Sequence, residues 1–156
     1  MSPATDEVKG HRNPIPTTDI IIEHYDGEKK GVVLIERKNP PYGIAIPGGF
    51  AEYGLSLEEN AVKEAMEETG LEVILENPEA PLCVHSNPGR DPREHILSVT
   101  YIAKGTGILQ AGDDAAGARL YTIDEVVELV KNNGLAFDHG RALEKYFQQR
   151  GIEYDA

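Results

Sequence analysis

Between Ser56 and Gly70 the sequence closes a helix at both ends and then loads its last turns with acid. Ser56 has Glu59 three residues on, the spacing of a capping box. Gly70 stands where a glycine in the left-handed conformation ends a helix. The helix is therefore predicted over 57–69. Ala61, Val62, Ala65, Met66 and Thr69 recur at i, i+3 and i+4 and predict its buried stripe. Glu64, Glu67 and Glu68 share a different face at the same spacing, so three carboxylates are expected to cluster away from the core. Like charges at this spacing destabilise a bare helix, and Lys63 relieves Glu67 only in part. The helix dipole also disfavours negative charge in a last turn. Two readings fit: a solvated acidic face, or a site for a hard cation such as Mg2+, which takes oxygen ligands.

The segment before this helix bends. Residues 38–49 hold Pro40, Pro41, Gly43, Pro47, Gly48 and Gly49, which excludes a long helix there. Pro47-Gly48-Gly49 is either a tight turn or a backbone left bare so that a ligand can approach. Residues 19–24 and 31–36 are β-branched runs around Tyr25-Asp26-Gly27-Glu28 and predict a hairpin. Further strands are expected at 71–75, 82–85, 96–103 and 118–121. Thr122 with Glu125 repeats the capping-box spacing and opens a helix ending near Asn133-Gly134. Asp138 is the expected N-cap of a last helix over 139–150. Strands and helices in this order do not alternate as in a doubly wound sheet. An α+β fold with a mixed sheet and helices on its faces is predicted.

Residues 1–17 carry Pro3, Pro14 and Pro16 and read as an irregular lead-in, and residues 18–156 as a single domain. Lys and Arg number 15 against 27 Asp and Glu, a net charge of −12. A nucleic acid polymer is thereby an unfavourable partner, because its binders need a basic surface. A polybasic membrane surface is excluded on the same ground. No apolar run approaches the ~20 residues of a membrane span, and residues 1–18 contain no apolar leader core, so a cytoplasmic protein is expected. The single cysteine, Cys83, forms no internal disulfide.

Taken together, the glycine loop and the acidic helix become specific. The stretch GGFAEYGLSLEENAVKEAMEETGL, residues 48–71, resembles the box of the Nudix hydrolase family, G-x5-E-x7-R-E-U-x-E-E-x-G-U with U aliphatic. Gly49, Glu64, Ala65, Glu67, Glu68, Gly70 and Leu71 match at their spacings. Leu55 stands where the first glutamate belongs, and Lys63 where arginine does. The resemblance implies a Nudix-type α/β/α sandwich and an active enzyme that hydrolyses a nucleoside diphosphate linked to another moiety, with Mg2+, or alternatively Mn2+, as cofactor. It assigns the metal to Glu64, Glu67, Glu68 and the Gly48 carbonyl, and places Lys63 beside these glutamates in the catalytic group. The general base varies in the family, and Glu64 takes that role here. Loss of a carboxylate at Leu55 implies fewer or weaker metals, and Lys63 lacks the planar fork of arginine.

The substrate is read from weaker resemblances. Residues 86–103, SNPGRDPREHILSVTYIA, together with AGDDA at 111–115 and LAFDHGRAL at 135–143, resemble stretches of Nudix enzymes assigned to ADP-ribose. The products would be AMP and ribose 5-phosphate. In the first of these stretches Arg90 and Arg93 are suited to forked phosphate contacts, the competing reading being an exposed turn with Arg–Asp pairs. Gly49 and Asp114 join them as substrate-binding candidates, although Asp113-Asp114 also fits an Asx turn. His139 reads as a capping or packing residue. Two alternatives remain: a Nudix hydrolase of another nucleotide, such as a nucleoside triphosphate, or a non-catalytic sensor of ADP-ribose-type metabolites. A small-molecule nucleotide is the expected partner, and the resemblance also admits a homodimer.

Overall fold

The structure, a computed structural model, describes residues 7–8, 10–110 and 115–154. Its elements in order are β1 (Glu7–Val8), β2 (His11–Arg12), β3 (Ile15–Tyr25), β4 (Lys30–Arg37), β5 (Gly43–Ala45), β6 (Gly48–Phe50), α1 (Leu57–Thr69), β7 (Glu72–Leu75), β8 (Cys83–His85), β9 (Ile96–Thr106), β10 (Ala115–Tyr121), α2 (Ile123–Lys131) and α3 (His139–Arg150). β1 and β2 pair with each other. The long strands build one mixed sheet in the order β10-β4-β3-β9-β7.

The centre of that sheet is β3. It runs parallel to β9 from Ile15 opposite Ile96 to Glu23 opposite Lys104. Its other edge is divided. Ile22–Tyr25 pair with β4, while Thr17–Asp19 pair with the short β6. The chain between β4 and α1 thus folds back into a gap in the sheet. The strand begins at Ile15, inside the stretch expected to be irregular, because Ile15–Thr17 find partners in Ile96–Ser98.

β3 and β4 are apolar on both sides because both faces of the sheet are covered. Ile20, Ile22 and Val33 face α1 together with Ala61, Ala65 and Leu71. Ile21, Val32 and Leu34 face the opposite layer, with Val126 of α2 and Leu143, Tyr146 and Phe147 of α3. The alternation along each strand is the period of two that places neighbours on opposite faces. The result is an α/β/α sandwich. Among the described residues no helix is long and apolar enough to cross a membrane.

α1 starts and stops where its end signals predict. Ser56 accepts from the Glu59 amide, Glu59 returns the bond to the Ser56 amide, and Gly70 has φ 76° and donates its N–H to the Met66 carbonyl. Its buried face differs from the expected stripe. Val62 and Met66 are 40% and 43% exposed, while Asn60, Ala61, Ala65, Glu68 and Thr69 are buried. Small alanines let the helix backbone close on the sheet. Asn60, wholly buried, has hydrogen-bond partners in the interior that a turn towards Val62 and Met66 would break. Glu68 therefore lies on the inner side of the helix and not on the solvated face expected for it. α3 also departs from expectation at its start: Asp138 makes no capping hydrogen bond to it.

The packing yields one stability expectation. Phe147 is fully buried, with its ring 6.1 Å from that of Tyr146 and 5.1 Å from that of Tyr154. Phe147→Ala should cost about 3–5 kcal/mol. Urea denaturation should show a lowered midpoint with an unchanged slope.

Candidate active site

A cavity of about 530 Å³ opens where β6 fills the gap in the sheet. Its first wall is the edge of β6. The Ile20 amide bonds to the Pro47 carbonyl, and the Ala51 amide to the Pro16 carbonyl. Gly48 opposite Asp19 therefore falls at a non-hydrogen-bonded position of this antiparallel ladder. Its own N–H and carbonyl turn away from β3. That N–H points to Glu68 Oε1 at 3.5 Å. Both glycines are needed as glycines. A Cβ on Gly48 would lie 2.2 Å from Asp19 Oδ1, and one on Gly49 would lie 2.5 Å from the Glu64 carboxyl carbon.

The second wall is α1. Asn60, Glu64 and Glu68 stand at i, i+4 and i+8 and form a polar row along the inner edge of the helix. Asn60 binds this row to β6: its Nδ2 donates to Thr18 Oγ1 at 2.8 Å and to the Phe50 carbonyl at 3.2 Å, while its Oδ1 accepts from the Glu52 amide at 3.1 Å. Lys63 and Glu67 form a second row further out. The Lys63 ammonium pairs with Glu67 and, at 3.1 Å, with Glu52. Those two contacts raise the Lys63 pKa above its ordinary value.

Electrostatics single out Glu64. Burial pushes its pKa up to about 7, the negative charge of Glu67 adds to this, and Lys63 opposes it. A carboxyl poised there gives up its proton to a cation readily. Glu52, Glu64, Glu67 and Glu68 all line the cavity, together with Gly48. Carboxylate and carbonyl oxygens are the donors that suit Mg2+ or Mn2+. Among the described residues, no three His, Cys, Asp or Glu side chains already converge as a ligand set. The donors are side by side but are still turned to Lys63, Gly48 and Gly49.

The third wall is basic. Arg37 at the end of β4 and Arg93 in the loop before β9 both line the cavity, with the Phe137 ring 5.0 Å and 5.2 Å from their guanidinium carbons. Arg93 is held by Asp91 through two hydrogen bonds of 3.0 and 2.8 Å. Arg37 donates to the Pro41 carbonyl at 2.7 Å and has no carboxylate within ion-pair distance among the described residues. Burial and the nearby Arg93 charge lower its pKa from the ordinary value. Two guanidiniums close together on one wall of a cavity favour an anion there.

Arg90 also lines the cavity, but its guanidinium is committed within the protein. Its guanidinium gives 2.9 and 2.7 Å hydrogen bonds to Asp138 Oδ1 and a 3.1 Å bond to the Ile96 carbonyl, and its side chain is 4% exposed. In this structure Arg90 ties the loop to the start of α3, and this contact is where the Asp138 carboxylate is engaged. Glu64, Glu67, Glu68, Lys63, Gly48, Gly49, Arg90 and Arg93 come together on the cavity. Asp113 and Asp114 lie outside the described residues. Sequence reasoning missed Glu52, Arg37 and Phe137. Each had a faint signal: Glu52 follows the glycine pair by three residues, Arg37 ends a strand beside the proline-rich bend, and Phe137 lies within the LAFDHGRAL stretch. Phe137 also has φ 55°, a left-handed conformation rare outside glycine.

The NUDIX domain profile matches residues 14–146. An ADP-ribose pyrophosphatase of Methanocaldococcus jannaschii is 37% identical over 139 residues, covering 87% of this chain and 75% of that protein. A MutT/nudix family protein of Listeria innocua is 32% identical with a TM-score of 0.67, covering 90% of this chain and 96% of its own. The NUDIX domain of Shewanella oneidensis NrtR, solved with ADP ribose, shares the fold at a TM-score of 0.73 and 23% identity, with 92% of each chain covered. The chain belongs to the NUDIX family and is a Nudix hydrolase, a diphosphatase by the chemistry of that family.

Glu64 gives a pH expectation for the metal-free protein. An ordinary glutamate titrates near 4.5 and this one near 7, so between those values the folded state keeps a proton that the unfolded chain has released. The contribution of Glu64 to stability is therefore present at low pH and falls as pH rises through that window. Carboxyl-carbon NMR should show the Glu64 midpoint near 7 without metal and lower with Mg2+ added. A metal-free midpoint under about 5 would refute the assignment.

Proposed function

We propose that this protein hydrolyses ADP-ribose to AMP and ribose 5-phosphate with Mg2+ as its divalent cation. The observation that carries the reading is a single cavity with opposed walls, carboxylates of α1 on one side and Arg37 with Arg93 around Phe137 on the other. A diphosphate joining two ribosyl groups fits that polarity. The 37% identity to the Methanocaldococcus jannaschii ADP-ribose pyrophosphatase supports the same substrate.

Glu64, Glu67, Glu68 and the Gly48 carbonyl would hold the cation, and Glu52 would add a carboxylate where Leu55 offers none. A divalent cation so held screens the diphosphate and lowers the pKa of a bound water. Glu64 accepts the proton of the attacking water. The water oxygen bonds to one phosphorus and the bridging P–O bond breaks, leaving one phosphate on each product. Lys63, now paired with Glu67 and Glu52, would remain beside a bound cation as a local positive charge. Gly49 keeps the space beside Glu64 open for substrate. Arg93 and Arg37 bind the substrate's phosphoryl oxygens, Arg90 holds the loop that carries Arg93, and Asp114, outside the described residues, contributes an acidic group to the substrate.

The direct test is product analysis with ADP-ribose and Mg2+ beside a panel of nucleoside triphosphates. ADP-ribose should give AMP and ribose 5-phosphate at the highest kcat/KM. Glu68→Gln should lower turnover by orders of magnitude with Mg2+ saturating and the melting temperature kept. Undiminished turnover in that variant would overturn the metal assignment.

The two arginines separate by what they lose. A charge-assisted contact to a phosphate oxygen contributes roughly 1.5–3 kcal/mol, so Arg37→Ala should raise KM roughly 10- to 150-fold. Arg90→Ala breaks a buried pair and should instead destabilise the fold by about 3–5 kcal/mol. Steady-state kinetics and urea denaturation on both variants check the contrast.

A further inference from the structure

His139, at the first position of α3, meets the edge that carries Gly48. The residue is 4% exposed. Its Nδ1 accepts the N–H of Ile46 at 3.0 Å. Nδ1 therefore carries no proton, and the ring proton sits on Nε2, which faces Asp19 Oδ2 at 3.8 Å. Burial lowers the pKa of the ring from its ordinary value, with the Asp19 charge opposing, which keeps the ring neutral and the lone pair on Nδ1 available. Asp19 is itself held by the Ser98 hydroxyl.

Backbone accounting shows why this contact matters. In Ile46-Pro47-Gly48 the proline has no N–H, so the segment has two donors. The Gly48 N–H faces Glu68 Oε1 at 3.5 Å, a weak contact to a carboxylate assigned to the cation. The Ile46 N–H goes to a neutral ring that no cation competes for. The Pro47 carbonyl is already committed to the Ile20 amide. Once Glu68 turns to a cation, the histidine is, among the described residues, the side-chain tether that remains on the donors of this segment. The approach of α3 is fixed independently of it, since the Ala136 amide bonds the Ile44 carbonyl at 2.8 Å and Arg90 grips Asp138.

We infer that His139 is a positioning residue for the cation site. Its Nδ1 holds the Ile46 N–H and so steadies the Ile46-Pro47-Gly48 segment from which the Gly48 carbonyl, turned away from β3, projects. This inference rests on the metal assignment proposed above. Outer partners of metal ligands commonly change affinity by about 10- to 100-fold.

The test is Mn2+ binding to the full-length protein without substrate, followed by electron paramagnetic resonance of the free ion. His139→Ala removes the acceptor, whereas His139→Asn places a carbonyl oxygen close to where Nδ1 stood. The alanine variant should bind Mn2+ about 10-fold or more weakly, and the asparagine variant within about threefold of the unsubstituted protein. Amide exchange at Ile46 should speed up in the alanine variant alone. Equal Mn2+ affinity for His139→Ala and the unsubstituted protein would overturn the inference, as would equal weakening in both variants. Glu68→Gln serves as the control: if it binds Mn2+ as tightly as the unsubstituted protein, the metal assignment fails rather than the role of His139 alone. Should His139→Ala not fold, the unsubstituted protein still decides. Its histidine nitrogen NMR should show His139 as the Nε2–H tautomer with a slowly exchanging Ile46 amide. The Nδ1–H tautomer would overturn the inference.

Discussion

Two bare α-carbons govern this molecule. β6 reaches its place in the sheet only because Gly48 can lie against Asp19 and the Thr18 carbonyl, and Gly49 against the Glu64 carboxyl. Any side chain at either position would fall inside the contact distance of real atoms. Moved outward, β6 would lose its pairing with β3, and α1 would lose the surface on which Asn60, Glu64 and Glu68 rest. The division of the β3 edge and the position of the cavity both follow from this close approach.

The same approach sets the electrostatics. Three glutamates on one short stretch of helix would ordinarily be solvated and ionised. Here β6 covers Glu64 and Glu68, and desolvation with mutual repulsion pushes the Glu64 pKa up to about 7. Lys63 holds the outer carboxylates, and Arg37 with Arg93 faces them across the cavity. A chain with a net charge of −12 thus has a concave surface of mixed sign. Such a surface suits a ligand that is itself an anion bridged to a cation.

How legible this was in the sequence depends on the range of the interaction. α1 was read to the residue because capping boxes and αL glycines act within four residues of the helix end. Strands β3, β4 and β7 to β10 were read because β-branched runs between turns carry their own period, whereas β5 and β6, three residues each and rich in glycine, carry none and were not. Facing was read less well. Val62 and Met66 look like core residues on a helical wheel yet are 40% and 43% exposed, because Asn60 and two alanines claim the sheet. Asp138 looks like an N-cap, but Arg90, 48 residues away in sequence, takes its carboxylate instead. Arg90 and Arg93 are three residues apart, indistinguishable by type, and both line the cavity, yet the guanidinium of Arg90 is buried in its pair with Asp138 while that of Arg93 pairs with its neighbour Asp91.

What the sequence determined by itself was local and periodic: the helix ends, the strand runs, the bare backbone at Gly48-Gly49, the acidic spacing of Glu64, Glu67 and Glu68, and through these the family. The tertiary structure decided which carboxylates are buried, that Glu52 and Lys63 share a contact, that Arg37 meets Arg93 beside Phe137, and that His139 reaches Ile46 across 93 residues of chain. Hydrogen bonds within a turn depend on neighbours in sequence and can be read from it. Desolvation and ion pairing depend on neighbours in space, and those exist only once β6 has closed on β3.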